Sequence, residues 1–215
     1  MRILVFGDSI AQGYYDLEKG GWTNLLFLHN INRTVRRKDV STEVFNVSVS
    51  GDTTQDVFNR LDNEVKARQW EDEPLVLVFA VGVNDTVIIN GEPAIGLEAY
   101  KADLEKLYIA AKRCTTAIVF VGLEAVDESE SAPWLFNSGA NELAWKNERI
   151  REFDRVLEHF AKEKGIRYIP VFDEFIKRQK QGEKLHADGL HPNSAGHEVI
   201  FQQVMPIFED LTAKL

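Results

Sequence analysis

The residues able to do chemistry fall in four short segments. Near the start, Gly7-Asp8-Ser9-Ile10-Ala11-Gln12-Gly13 sets a serine in a glycine-flanked turn straight after an apolar run. Its hydroxyl faces solvent in such a turn, and its backbone N–H can stabilise a developing anion. Near the other end, Ala187-Asp188-Gly189-Leu190-His191-Pro192 puts a carboxylate three residues before a histidine. One loop thus carries a base and a group to orient it, in the order Ser, Asp, His found in α/β hydrolases. Between them lie Ser48-Val49-Ser50-Gly51-Asp52-Thr53-Thr54 and Gly82-Val83-Asn84-Asp85. The Gly51 N–H and the Asn84 side-chain NH₂ are donors suited to an oxyanion. Each turn alone has a plain structural explanation, including Thr53 or Thr54 as a helix cap and Asn84 as a turn residue. Together they offer a nucleophile, a base with its orienting carboxylate, and donors for developing negative charge.

Competing chemistries fit poorly. His197-Glu198 is followed by Phe201 where a zinc helix needs its second histidine, so no metal site is expected. There is no phosphate-binding Gly-x-x-x-x-Gly-Lys loop and no Gly-x-Ser-x-Gly elbow. Cys114, the only cysteine, reads as a small apolar group near a helix end. The 25 basic and 34 acidic residues give a net charge of −9, which disfavours nucleic acid as a partner. The start of the chain lacks the h-region of a signal peptide, and its longest apolar stretch, Leu75 to Val83, falls short of a membrane span. A cytoplasmic location is the expectation.

The elements that must position these turns alternate. Apolar, β-rich runs at Arg2 to Phe6, Glu43 to Val47, Leu75 to Val81, Ala117 to Val121 and Arg167 to Val171 predict five strands. Helical spacing between them predicts helices over Trp22 to Asn32, Thr54 to Ala67, Leu97 to Arg113 and Asn141 to Lys164, with a last one after Ser194, whose hydroxyl is expected to cap it. Alternation of this kind implies crossovers and a parallel sheet covered on both faces, an α/β sandwich formed by a single domain over residues 1–215. Leu75 to Val81, apolar on both faces, is the expected central strand. Ligands gather beyond the carboxyl ends of such strands, where all four turns fall.

Together the four turns resemble the SGNH (GDSL-like) hydrolase family, named for a serine, a glycine, an asparagine and a histidine in separate blocks. Here they are Ser9, Gly51, Asn84 and His191, with Asp188 three residues before the histidine. Ile10 replaces the leucine of Gly-Asp-Ser-Leu, and Ala11 stands where a small hydroxyl residue is common. The resemblance implies a flavodoxin-like three-layer α/β/α fold with a five-stranded parallel sheet. It also implies a serine esterase needing no cofactor or metal, with Ser9, Asp188 and His191 catalytic and Ser9, Gly51 and Asn84 forming the oxyanion hole. Members include carboxylesterases, lysophospholipases, thioesterases and carbohydrate acetylesterases, and the motifs are common to all. The alternative is a ligand-binding or scaffolding domain that has kept the turns without turnover.

The expected partner is a small or medium acyl ester. The segment Leu123 to Gly139 leaves the fourth strand on the same edge as the turns, and within it Trp134 and Phe136 stand among Asp127, Glu128 and Glu130. They are expected either to line the substrate pocket, with the acids repelling anionic substrates, or to anchor the loop or a second subunit.

Overall fold

A computed structural model describes residues 1–37, 42–136 and 141–213, without the side chains of Arg37, Leu135, Phe136, Thr212 and Ala213. Its main sheet is parallel throughout, formed by β1 (Arg2–Gly7), β2 (Glu43–Asn46), β3 (Leu75–Ala80), β4 (Ala117–Val121) and β5 (Arg167–Ile169). The order is β2-β1-β3-β4-β5, so the run expected to be central occupies the middle position. Val76, Leu77, Val78 and Phe79 are buried on both of its faces. β1 lies beside it in register from Arg2 opposite Leu75 to Gly7 opposite Ala80.

Among the described residues, the helices of nine residues or more are α1 (Trp22–Arg37), α2 (Thr54–Arg68), α3 (Leu97–Cys114), α4 (Asn147–Lys164), α5 (Phe172–Lys180) and α6 (Ser194–Ala213). α2, α3 and α4 pack in sequence, while α6 packs against α1 and α5. Local sequence explains their ends and faces. Thr53 and Asp56 form a reciprocal capping box at the start of α2, and Lys66 and Arg68 meet its negative end. In α4, Ile150, Phe153, Leu157 and Phe160 recur at helical spacing and are buried, each stabilising by about 1.5–3 kcal/mol. Gly165 then ends that helix in the left-handed conformation, at φ 66°.

Two local expectations need correction, and one helix is added to them. Asn141–Ala144 is a strand rather than the start of α4, because it pairs antiparallel with Ile88–Ile89 on one side and Trp134–Phe136 on the other. Asn193, not Ser194, caps α6, its Oδ1 accepting from the N–H groups of Ala195 and Gly196 at 2.9 and 3.1 Å. α5 was not anticipated, although Phe172 and Phe175 are buried one turn apart, acids occupy its first turn and bases its last.

The chain turns from β1 outward to β2 and returns to β3 on the far side of β1, which opens a crevice at the carboxyl ends of these strands. Beside the main sheet lies a small antiparallel sheet of short strands in the order Glu92–Pro93, Ile88–Ile89, Asn141–Ala144, Trp134–Phe136. Its hairpin turns through Asn90-Gly91, both at positive φ. The segment after β3 and the segment after β4 thus join in one small sheet. Among the described residues, no helix is long and apolar enough to cross a membrane.

Candidate active site

Ser9 follows β1 directly and opens a single helical turn, Ser9–Gln12. Gly7 is required just before it, since a Cβ there would lie 2.4 Å from Ala11 Cβ and 2.5 Å from the Ala80 carbonyl oxygen. Asp8 is extended and its carboxyl accepts from the Ile10 N–H at 2.9 Å, while Gly13 closes the turn at φ 91°. Held this way, Ser9 is 6% exposed and its Oγ lies 2.9 Å from Nε2 of His191.

The histidine comes from the loop before α6. Asp188 Oδ1 accepts from the backbone N–H groups of Leu190 and His191, at 3.0 and 2.7 Å, and its Oδ2 lies 2.8 Å from His191 Nδ1. Gly189, at φ 86°, lets the loop press against Glu130 and Ser131, where a Cβ would fall within 2.6 Å of Glu130 Cβ. Burial alone would raise the Asp188 carboxyl, but the His191 ring and the two N–H donors outweigh it and hold the pKa below the ordinary value. An ionised carboxylate there fixes a proton on Nδ1 and leaves Nε2 to accept from Ser9.

Donors for an anion stand on the neighbouring turns. Gly51 has φ 89° and a Cβ would meet nothing within 4 Å, so its glycine is needed for backbone conformation rather than for close packing. Ser50 N–H donates to Gln12 Oε1 at 3.0 Å, tying this turn to the helical turn of Ser9. Asn84 is half-buried and donates one side-chain N–H to the Asp52 carbonyl at 3.0 Å, leaving a second N–H on the same nitrogen. Its turn is anchored by Asp85, which accepts from the Thr54 N–H at 3.0 Å.

Two buried carboxyls, Asp8 and Asp85, sit in these turns and a third, Glu124, follows β4. Burial raises Asp8 to about 6, against the Ile10 N–H and the charge of His191. Burial raises Asp85 to about 7, only partly offset by Thr54, and raises Glu124 to about 8, with the Asp8 charge adding to the effect. Asp8 and Glu124 line one small internal cavity with Trp22, Val81 and Val121. Beside the triad, the loop from Gly13 to Gly21 carries Tyr14 and Tyr15, whose ring centroids lie 6.3 and 4.9 Å from that of His191.

A sequence profile of the GDSL-like lipase/acylhydrolase family matches residues 5–199. The chain belongs to this family. Relatives include the isoamyl acetate-hydrolyzing esterase 1 homolog of Mus musculus, 24% identical over all of this chain and 84% of that protein. The GDSL esterase/lipase WDL1 of Oryza sativa subsp. japonica is 20% identical over 96% of this chain and 77% of its own. Among solved structures, a lipase/acylhydrolase from Enterococcus faecalis superposes with TM-score 0.73 at 21% identity, covering 97% of this chain and 95% of that one. An acetyl xylan esterase from Geobacillus stearothermophilus gives TM-score 0.70 at 19% identity over 95% and 93% of the two chains.

Of the residues singled out in the sequence of this GDSL-like chain, Ser9, Asp188 and His191 form one hydrogen-bonded line. Gly51 and Asn84 stand on adjoining turns, joined through Asp52. Trp134 is half-buried and its ring meets Trp145 edge-on at 5.9 Å, while the Phe136 side chain lies outside the described residues. Asp85, Glu124 and the two tyrosines were not singled out. Each looks like ordinary loop composition, and only the fold brings them to the site.

Proposed function

We propose that the protein hydrolyses carboxylic esters of small or medium acyl chains through an acyl-enzyme on Ser9. The observation that carries this is the continuous line from Ser9 Oγ through His191 to Asp188, with contacts of 2.9 and 2.8 Å, in a member of an esterase-containing family. Ser9 Oγ bonds to the ester carbonyl carbon while its proton passes to His191 Nε2. The N–H groups of Ser9 and Gly51 and the side chain of Asn84 hold the oxyanion. The bond to the alkoxy oxygen then breaks, and the leaving alcohol takes the proton from His191. Water attacks the acyl-enzyme by the same route in reverse, releasing the acid and restoring Ser9. Trp134 and Phe136 are assigned to the substrate pocket, a role that a changed chain-length profile in Trp134→Ala would support.

The test is hydrolysis of p-nitrophenyl acetate by wild type, Ser9→Ala and His191→Ala. Both substitutions are expected to reduce turnover to background with an unchanged melting temperature. Wild-type turnover in Ser9→Ala would overturn the reading, and a wild type inert towards all esters would favour a binding domain.

A further inference from the structure

Tyr14 and Tyr15 are 44% and 48% exposed, yet they are placed with care. Their rings meet edge-on at 5.7 Å, and Tyr15 also meets the His191 ring at 4.9 Å with an interplanar angle of 60°. Leu17 beside them is 94% exposed, so an apolar surface opens next to the catalytic imidazole. Tyr15 holds φ 62°, a conformation that bulky residues disfavour.

The loop is built to impose that conformation. Asp16 Oδ1 accepts from the N–H groups of Glu18 and Lys19 at 3.1 and 3.0 Å and from the Ser194 hydroxyl, and Oδ2 accepts from the Gly21 N–H at 2.9 Å. Ser194 begins the helix after the His191 loop, so one carboxylate locks the tyrosine loop to the segment carrying the base. Gly13 closes the other side, where a Cβ would lie 2.3 Å from the Gly20 carbonyl oxygen. Side chains this exposed need no such anchoring for stability alone.

The chemistry of the leaving group decides what the tyrosines would touch. His191 must deliver its proton to the alkoxy oxygen, so the alcohol half of the ester leaves on the histidine side. The oxyanion donors on Gly51 and Asn84 take the carbonyl oxygen on the other side. We infer that Tyr14 and Tyr15 form the wall that receives the alcohol half of the substrate, and that they select esters of apolar alkyl or aryl alcohols. This rests on the esterase reading above and deepens it. Two ring faces and Leu17 offer apolar contact to an uncharged alcohol, whose burial against them strengthens binding in proportion to its area.

The experiment compares two substrate series on wild type, Tyr14→Ala, Tyr15→Ala, Tyr15→Phe and Trp134→Ala. In one, the acyl group is fixed as acetate and the alcohol runs through methanol, butanol and benzyl alcohol. In the other, the alcohol is fixed as p-nitrophenol and the acyl chain lengthens. Tyr14→Ala and Tyr15→Ala are expected to lower kcat/KM for benzyl and butyl acetate about tenfold relative to methyl acetate. Tyr15→Phe should keep the preference, and the acyl-chain profile should stay unchanged in all three tyrosine variants. A general loss of activity from a disturbed loop would lower methyl, butyl and benzyl acetate equally, and that result overturns the assignment. So does an alcohol preference that moves only in Trp134→Ala. Failure of wild type to hydrolyse any member of either series overturns the esterase reading itself.

Discussion

Asp188 and Glu124 are carboxyls of one site whose surroundings push them in opposite directions. Asp188 accepts from two backbone N–H groups and the His191 ring, which outweigh its burial and keep it ionised. Glu124 is 5% exposed, its Oε1 has no hydrogen-bond partner, and burial raises it to about 8. The same division separates Asp16, held at about 2 because the Ser194 hydroxyl and three N–H donors outweigh burial, from Asp85, raised to about 7 by burial. What differs is the number of donors the chain supplies, and not depth alone. On the loops flanking Ser9 the chain keeps negative charge, and around Ser9 burial raises Asp8, Asp85 and Glu124 to about 6, 7 and 8.

The sharpest way to break this comparison is the same chemical change at both kinds of position. Asp188→Asn removes the charge that orients His191 and offers its ring the wrong hydrogen-bond pattern, so kcat is expected to fall by about 10³–10⁴. Steady-state kinetics on p-nitrophenyl acetate check it, and a loss below tenfold would separate Asp188 from the reaction. Asn84 stands where the two regions meet, on a turn anchored by Asp85. On the oxyanion role proposed for it, Asn84→Ala should lower kcat by roughly 10²–10³ with KM little changed, the pattern of a lost donor that meets the oxyanion more than the bound ester. A change in KM alone would make it a substrate contact.

The turns were legible in the sequence because glycine, aspartate and proline fix backbone geometry locally, and because the strands are apolar enough to mark where each turn begins. The middle position of Leu75 to Val81 was legible for the same reason. The antiparallel sheet was not, since Ile88–Ile89 and Asn141–Ala144 are far apart in sequence and too short to show a period. Nor were the buried acids, because Glu124 and Asp85 differ from surface carboxyls only in what folds over them. Tyr14 and Tyr15 were hidden by the long separation between their loop and His191.

At pH 6, below its pKa of about 7, Asp85 is mostly protonated, and Asp85→Asn should leave kcat within about threefold of wild type there, because a neutral side chain with an acceptor for the Thr54 N–H resembles that acid. A thousandfold loss would show that Asp85 acts as an ion. The smallest expected effect is on stability. The folded pKa of Glu124 is raised above its unfolded value, so its contribution is complete below about 4.5 and is lost as pH rises through about 8. Glu124→Gln removes that loss, and thermal melts should show it more stable than wild type at pH 9 by roughly 5 °C, with little difference at pH 4. An offset independent of pH would mean that Glu124 is not held neutral by burial.

The central claim, that Ser9 is a nucleophile activated by His191, is tested most directly by a fluorophosphonate probe followed by intact-mass measurement and peptide mapping. The wild type should gain one adduct per chain, located on Ser9, with Ser9→Ala unlabelled and Asp188→Asn labelled far more slowly. An unlabelled wild type, or an adduct on any other residue, would contradict it.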